Sequence, residues 1–151
     1  MTAFYFDETV PNRNGAVRTA LLGASTSPSD RFTSKDANKA VKLIGDSRYG
    51  LVSDGDDLEA VVVGVEGGTL GNGYSYGSVQ RYFNYLRAEV TGSALSIGDT
   101  VVCAAQSALG TEQPYVKVKS GSGVAYKWRV VSLLGGTGQV GTTVLLEPIN
   151  L

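Results

Sequence analysis

Gly136, Gly138 and Gly141 stand in the G-x-G-x-x-G spacing that cradles a dinucleotide pyrophosphate. That chemistry needs a strand before the glycines and a helix after them, whose N-terminal amides receive the phosphates. The residues that follow, Thr142 to Ile149, read as strand, so the glycines are expected to join two β-strands. Gly136 to Gly141 also has the gap of a P-loop, but Thr142 occupies the position of the phosphate-binding lysine. Catalytic roles are expected at no residue, and no cofactor is expected. The sequence has no histidine, which removes the commonest general base and most transition-metal sites. Asp54, Asp56, Asp57 and Glu59 cluster, yet a calcium loop beginning at Asp54 would need Glu where Val65 stands. No metal site is expected, and the cluster reads as a polar turn. Cys103 is the single cysteine and sits among valines and alanines, the setting of a buried hydrophobe.

The residues that remain suit binding better than bond-making. Tyr74, Tyr76, Tyr82 and Tyr85 are four of the eight tyrosines, and large amphipathic rings are enriched at protein interfaces. Phe4, Tyr5 and Phe6 form a second aromatic group. A hairpin through Ser120–Gly123 would set Lys117 opposite Lys127, and facing like charges destabilise a sheet. Neutralisation by acidic residues such as Asp56, across a subunit contact, is the expectation. Phe4, Tyr5, Phe6, Tyr74, Tyr76, Tyr82, Tyr85, Asp56, Lys117 and Lys127 are therefore the candidate interface residues.

The elements that must position them read mainly as β. Leu58–Glu66 and Thr100–Ala105 are valine-rich and apolar on both faces, as in interior strands. Val116 and Val118 alternate with lysines, and Tyr126, Trp128 and Val130 alternate with Lys127 and Arg129, as in half-exposed strands. Val79–Val90 fits either period; its aromatic content favours strand. Gly/Ser/Asn turns separate these runs. One short helix is expected over Ser34–Ile44, where Ala37, Ala40, Val41 and Ile44 recur at helical spacing between Ser34 and Gly45. Residues 1–33 bury little and read as an extended N-terminal arm. The expectation is a small antiparallel β-barrel or β-sandwich, jelly-roll-like, over residues 34–151.

With 151 residues and a net charge of −1, the chain has the length and balance of a soluble globular domain. The charges are segregated: residues 1–50 net +2, residues 51–100 net −5 and residues 101–151 net +2. Such patches suit contacts between copies or with a partner. Without a basic excess, direct nucleic-acid binding is not expected. No apolar run reaches membrane-span length, and no leader pattern opens the sequence, so no membrane association is expected.

Several phrases occur in a telling order: Lys39–Leu43, Tyr49–Val52, Gly55–Glu59 running into Val61–Glu66, and Gly73–Val79. Ile97–Val102, Trp128–Leu133 and Gly141–Glu147 complete the set. This order resembles the capsid cement (decoration) proteins of tailed bacteriophages. The resemblance covers roughly residues 35–151. It implies a β-rich structural protein, made in the host cytoplasm and bound to the outer capsid surface of the virion. Its partners would be the major capsid protein and itself, as a dimer or trimer, and it would clamp capsid subunits against internal pressure. The alternatives are another phage structural protein (head-completion, tail or fibre-associated) and a carbohydrate-binding β module using exposed tyrosines.

Overall fold

The computed structural model describes residues 17–23, 31–69, 75–81 and 83–149. Their ten strands close into two five-stranded barrels. The first contains β1 (Val17–Leu22), β2 (Ala40–Gly45), β3 (Arg48–Leu51), β4 (Ala60–Thr69) and β5 (Ser75–Gln80). The second contains β6 (Leu86–Val90), β7 (Thr100–Cys103), β8 (Val116–Ser120), β9 (Trp128–Ser132) and β10 (Thr143–Pro148). Closure pairs every strand on both sides and so shortens the free sheet edges through which open β proteins aggregate.

The two barrels repeat one another. The first runs β1-β3-β2-β4-β5 and returns to β1; the second runs β6-β8-β7-β9-β10 and returns to β6. In each, the first and third strands are parallel and every other pair is antiparallel. The register agrees residue by residue: Val41 faces Leu51 and Ala60, as Val101 faces Ser120 and Trp128. Val63 is an extra residue between the pairs Val62–Val79 and Gly64–Ser78. Val131 is likewise extra between Val130–Leu146 and Ser132–Leu145. The entry into the second strand matches too. Asn38 (φ 70°) donates its N–H to Val62 O, and Gly98 (φ 90°) donates to Val130 O, both at 2.8 Å.

Inward positions are buried in both copies: Ala20 and Ala88, Leu22 and Val90, Val41 and Val101, Val62 and Val130. Size is redistributed elsewhere. Tyr49 fills the place of Val118, whereas Ala60 stands where Trp128 fills the second barrel. A compact core tolerates such exchanges when the summed volume is kept.

The expected helix over Ser34–Ile44 is absent. One 3-10 turn, Ser34–Asp36, is followed by β2. Thr33, not Ser34, caps the turn, in a capping box with Asp36. Asn38 then takes a left-handed conformation that a continuing helix cannot accommodate. Burial of Ala40 and Val41 between packed layers outweighs the helical spacing. The extended arm is corrected in part: Val17–Leu22 is a barrel strand and Phe32 is core. Residues 1–16 and 24–30 lie outside the described residues. The Val79–Val90 run is not one strand but the end of β5, a connection and β6. The glycine motif joins β9 to β10, as expected, with Gly136, Gly138 and Gly141 all at positive φ.

The barrel junction and candidate interaction surface

The barrels are fastened by the polar segment that the sequence marks as an acidic cluster. The Asp57 carboxylate accepts the backbone N–H groups of Val124 (2.8 Å), Ala125 (2.7 Å) and Tyr126 (3.2 Å). Asp54 pairs with Lys119 and accepts Ala105 N–H at 3.2 Å. Backbone pairing adds to this: Gly55 N–H donates to Cys103 O (2.8 Å) and Cys103 N–H to Asp56 O (2.9 Å). Trp128 Nε1–H crosses to Leu58 O at 2.9 Å, and Phe83 packs edge-on against the indole. Ala40, Val52, Leu58 and Val61 of the first barrel thereby share one apolar core with the interior of the second.

The connection between β7 and β8 closes the junction from another side. Lys39 Nζ donates to Asp36 Oδ1 at 2.6 Å, with both side chains fully buried. Ala108 O accepts from the same ammonium at 2.5 Å, and Gly110 N–H donates to Asp36 Oδ1 at 2.8 Å. Gln113 Nε2 donates to Gln106 Oε1 (2.6 Å), and Gln106 Nε2 donates to Ala104 O and Lys117 O. A buried ion pair needs such surrounding hydrogen bonds to offset desolvation. This network is absent from the sequence reading. Its one visible signal is the Thr33–Asp36 capping pattern.

Electrostatics at the junction follow from these pairs. The Lys119 ammonium hydrogen-bonded to Asp54 holds that carboxyl below its ordinary value of 3.8. Lys42, 2.7 Å from Asp56, and then the Ser53 N–H do the same for Asp56. Burial pushes the Cys103 thiol up to about 12, and the nearby charges of Asp56, Asp57 and Glu59 add to the shift. Cys103 is therefore a protonated core side chain.

The predicted interface residues are scattered. Phe4, Tyr5, Phe6, Tyr74 and Tyr82 lie outside the described residues. Tyr76 faces Leu21 across the β1–β5 ladder and borders a shallow cleft of about 280 Å³ with Thr19, Ala20, Leu21 and Ser47. Tyr85 is 59% exposed and lines a second depression, about 260 Å³, with Asn84, Glu147 and Pro148. The Lys117–Lys127 opposition does not occur, because β7 lies between β8 and β9. Lys117 is instead in register with Glu89 on the parallel strand β6. Acidic residues do meet lysines, but within one chain: Asp56 with Lys42, and Asp54 with Lys119. Exposed aliphatic residues went unread in the sequence: Val124 at 90%, Ile97 at 59% and Leu43 at 54%. Val124 had a local signal, a lone valine in a Gly/Ser turn.

Among the described residues, no group of three or more His, Cys, Asp or Glu is placed to hold a metal ion, and no helix is long and apolar enough to cross a membrane. Compared with known proteins, the chain matches no family model, no curated protein and no solved structure.

Proposed function

We propose that the protein is a non-enzymatic structural component of a phage virion, bound to the outer capsid surface and to the major capsid protein beneath it. The observation that carries the reading is the patch around Tyr85, where the connection between β5 and β6 meets the end of β10. Tyr85 is 59% exposed beside Asn84, Glu147 and Pro148, with Ile149 43% exposed next along the chain. An aromatic anchor beside apolar and hydrogen-bonding neighbours is the composition of a protein-binding hot spot. The cement-protein phrases in the sequence support the same reading. Contacts spanning neighbouring capsid subunits would raise the cost of separating them, because binding to the assembled state stabilises it by mass action.

The test is to mix purified protein with capsids stripped of outer proteins. Saturable binding and a raised capsid melting temperature are expected, both weakened by Tyr85→Ala. Absence of binding by the wild-type protein overturns the reading. A carbohydrate-binding module is the second reading, favoured by the same patch. An exposed tyrosine face flanked by an amide and a carboxylate also suits a sugar ring, and saturable binding on a glycan array would select it.

A further inference from the structure

The duplication turns the internal junction into a template. Beyond Val101, where its ladder with β9 ends, β7 offers the backbone of Cys103 to the Gly55–Asp57 segment of the first barrel. The register makes Leu43 the counterpart of Cys103, since each faces the third strand of its barrel, at Tyr49 and at Val118. The β2–β4 ladder likewise ends at Val41, and none of the described residues pairs with the Leu43 backbone on that side. Leu43 is 54% exposed and Ile44 37%, whereas Cys103 is fully buried.

The other half of the junction has a counterpart by position, although Gly55 is at positive φ and Gly123 is not. Counting back from the equivalent strand starts Ala60 and Trp128, Gly55–Asp57 corresponds to Gly123–Ala125, with Val124 in the place of Asp56. Val124 is 90% exposed. Asp57 already binds the N–H groups of Val124, Ala125 and Tyr126, so this segment is fixed before any partner arrives. One acceptor edge and one donor segment are thus used inside the chain. Among the described residues, the Leu43 edge and the carbonyl side of Gly123–Ala125 have no such backbone partner, and both carry exposed aliphatic side chains.

We propose that the protein associates head to tail with a second copy: the Gly123–Ala125 segment of one molecule, led by Val124, docks on the Leu43–Ile44 edge of the next. The contact is heterologous, so it builds rows or rings, not two-fold dimers. It is weaker than the internal junction. Ala40, Val52 and Val61, which enlarge the internal core, correspond to Thr100, Gly121 and the ion-paired Arg129. Association is accordingly reversible and concentration-dependent. The proposal goes beyond the capsid reading and does not depend on it.

Sedimentation velocity on the full chain, without capsids, tests it. Wild-type mass is expected to rise with concentration, and Leu43→Asp or Val124→Asp to weaken association at least about tenfold. Circular dichroism verifies that both variants, altered at exposed positions, stay folded. Mixed at equal amounts, the two variants are expected to form heterodimers that grow no further, because each retains one intact half. A wild-type monomer at all concentrations overturns the proposal. So does a mixture that stays monomeric, or wild-type-like association by Val124→Asp, which would indicate a two-fold contact between β2 edges.

Discussion

Trp128 belongs to the second barrel, yet its indole N–H donates to Leu58 O at the entrance to the first, 2.9 Å away. The ring is 5% exposed and lies within the apolar core shared by the barrels. It fills the second barrel and ties it to the first with one side chain. Trp128→Phe keeps most of the volume but strands the Leu58 carbonyl, at a cost of about 1–3 kcal/mol. Trp128→Ala adds a cavity and costs about 3–5 kcal/mol. Urea denaturation followed by circular dichroism measures both. Equal losses would show that the hydrogen bond, not the ring, dominates.

The Asp36–Lys39 pair makes a sharper distinction. Lys39→Met leaves a fully buried carboxylate without its counter-ion, a change that costs about 3–5 kcal/mol. Adding Asp36→Asn removes that orphan charge, but its single oxygen can accept from Gly110 N–H or from Thr33 N–H and not from both. The double variant is expected to lose less stability than the two single changes added together. A double-mutant cycle on urea midpoints checks this, and simple additivity would contradict it.

Acid should loosen the junction in a defined window. The folded pKa values of Asp54 and Asp56 are depressed, so their contribution is present above the ordinary 3.8 and is lost as pH falls through the lower folded values. Stability is expected to be level above about pH 5 on this account and to fall below about pH 4. Asp54→Asn and Asp56→Asn should each flatten that fall. Both pairs are solvent-exposed in part, so high salt should diminish the same contribution. Denaturation midpoints across pH, at low and high salt, read out both effects.

Cys103 behaves in the opposite sense. Its thiol is raised from 9.0 to about 12, so the folded state resists ionisation. Its contribution is complete below pH 9 and is lost as pH rises from there towards 12. At pH 8 a thiol reagent should label the native protein only at the rate of unfolding. Denaturant should restore fast labelling of the single cysteine.

These elements were unequally legible in the sequence. The alternations Val116–Lys119 and Tyr126–Val130 located β8 and β9, because a half-exposed strand writes its burial pattern directly into residue type. Their partners were not legible. β8 and β9 follow one another in the chain, yet β7 lies between them, and sequence adjacency carries no such crossover. Ala40, Val41 and Ile44 misled because their spacing suits a helix, while only the packed barrels reveal what buries Ala40 and Val41. The duplication was hidden by exchanges such as Tyr49 for Val118 and Ala60 for Trp128, which conserve space without conserving residues. At the junction, the acidic cluster was visible as charge. Its lysine partners were not, because Lys42 and Lys119 reach it from distant strands.

The glycine motif yields the last prediction. Gly136 (φ 84°) and Gly138 (φ 67°) both occupy the left-handed region, but their surroundings differ. A Cβ on Gly136 would meet nothing within 4 Å, so Gly136→Ala carries only the backbone cost, about 1–2 kcal/mol. A Cβ on Gly138 would lie 2.1 Å from Leu95 O, the backbone of a residue only 2% exposed. Gly138 O also accepts the Leu95 N–H at 2.8 Å, so relieving the clash would pull this hydrogen bond apart. Gly138→Ala should therefore be the more damaging change by at least about 2 kcal/mol, as expected where a clash adds to strain. Thermal melts of the two variants decide it. A cofactor loop would show its loss in dinucleotide affinity, whereas a β9–β10 connection anchored on Leu95 shows it in stability alone.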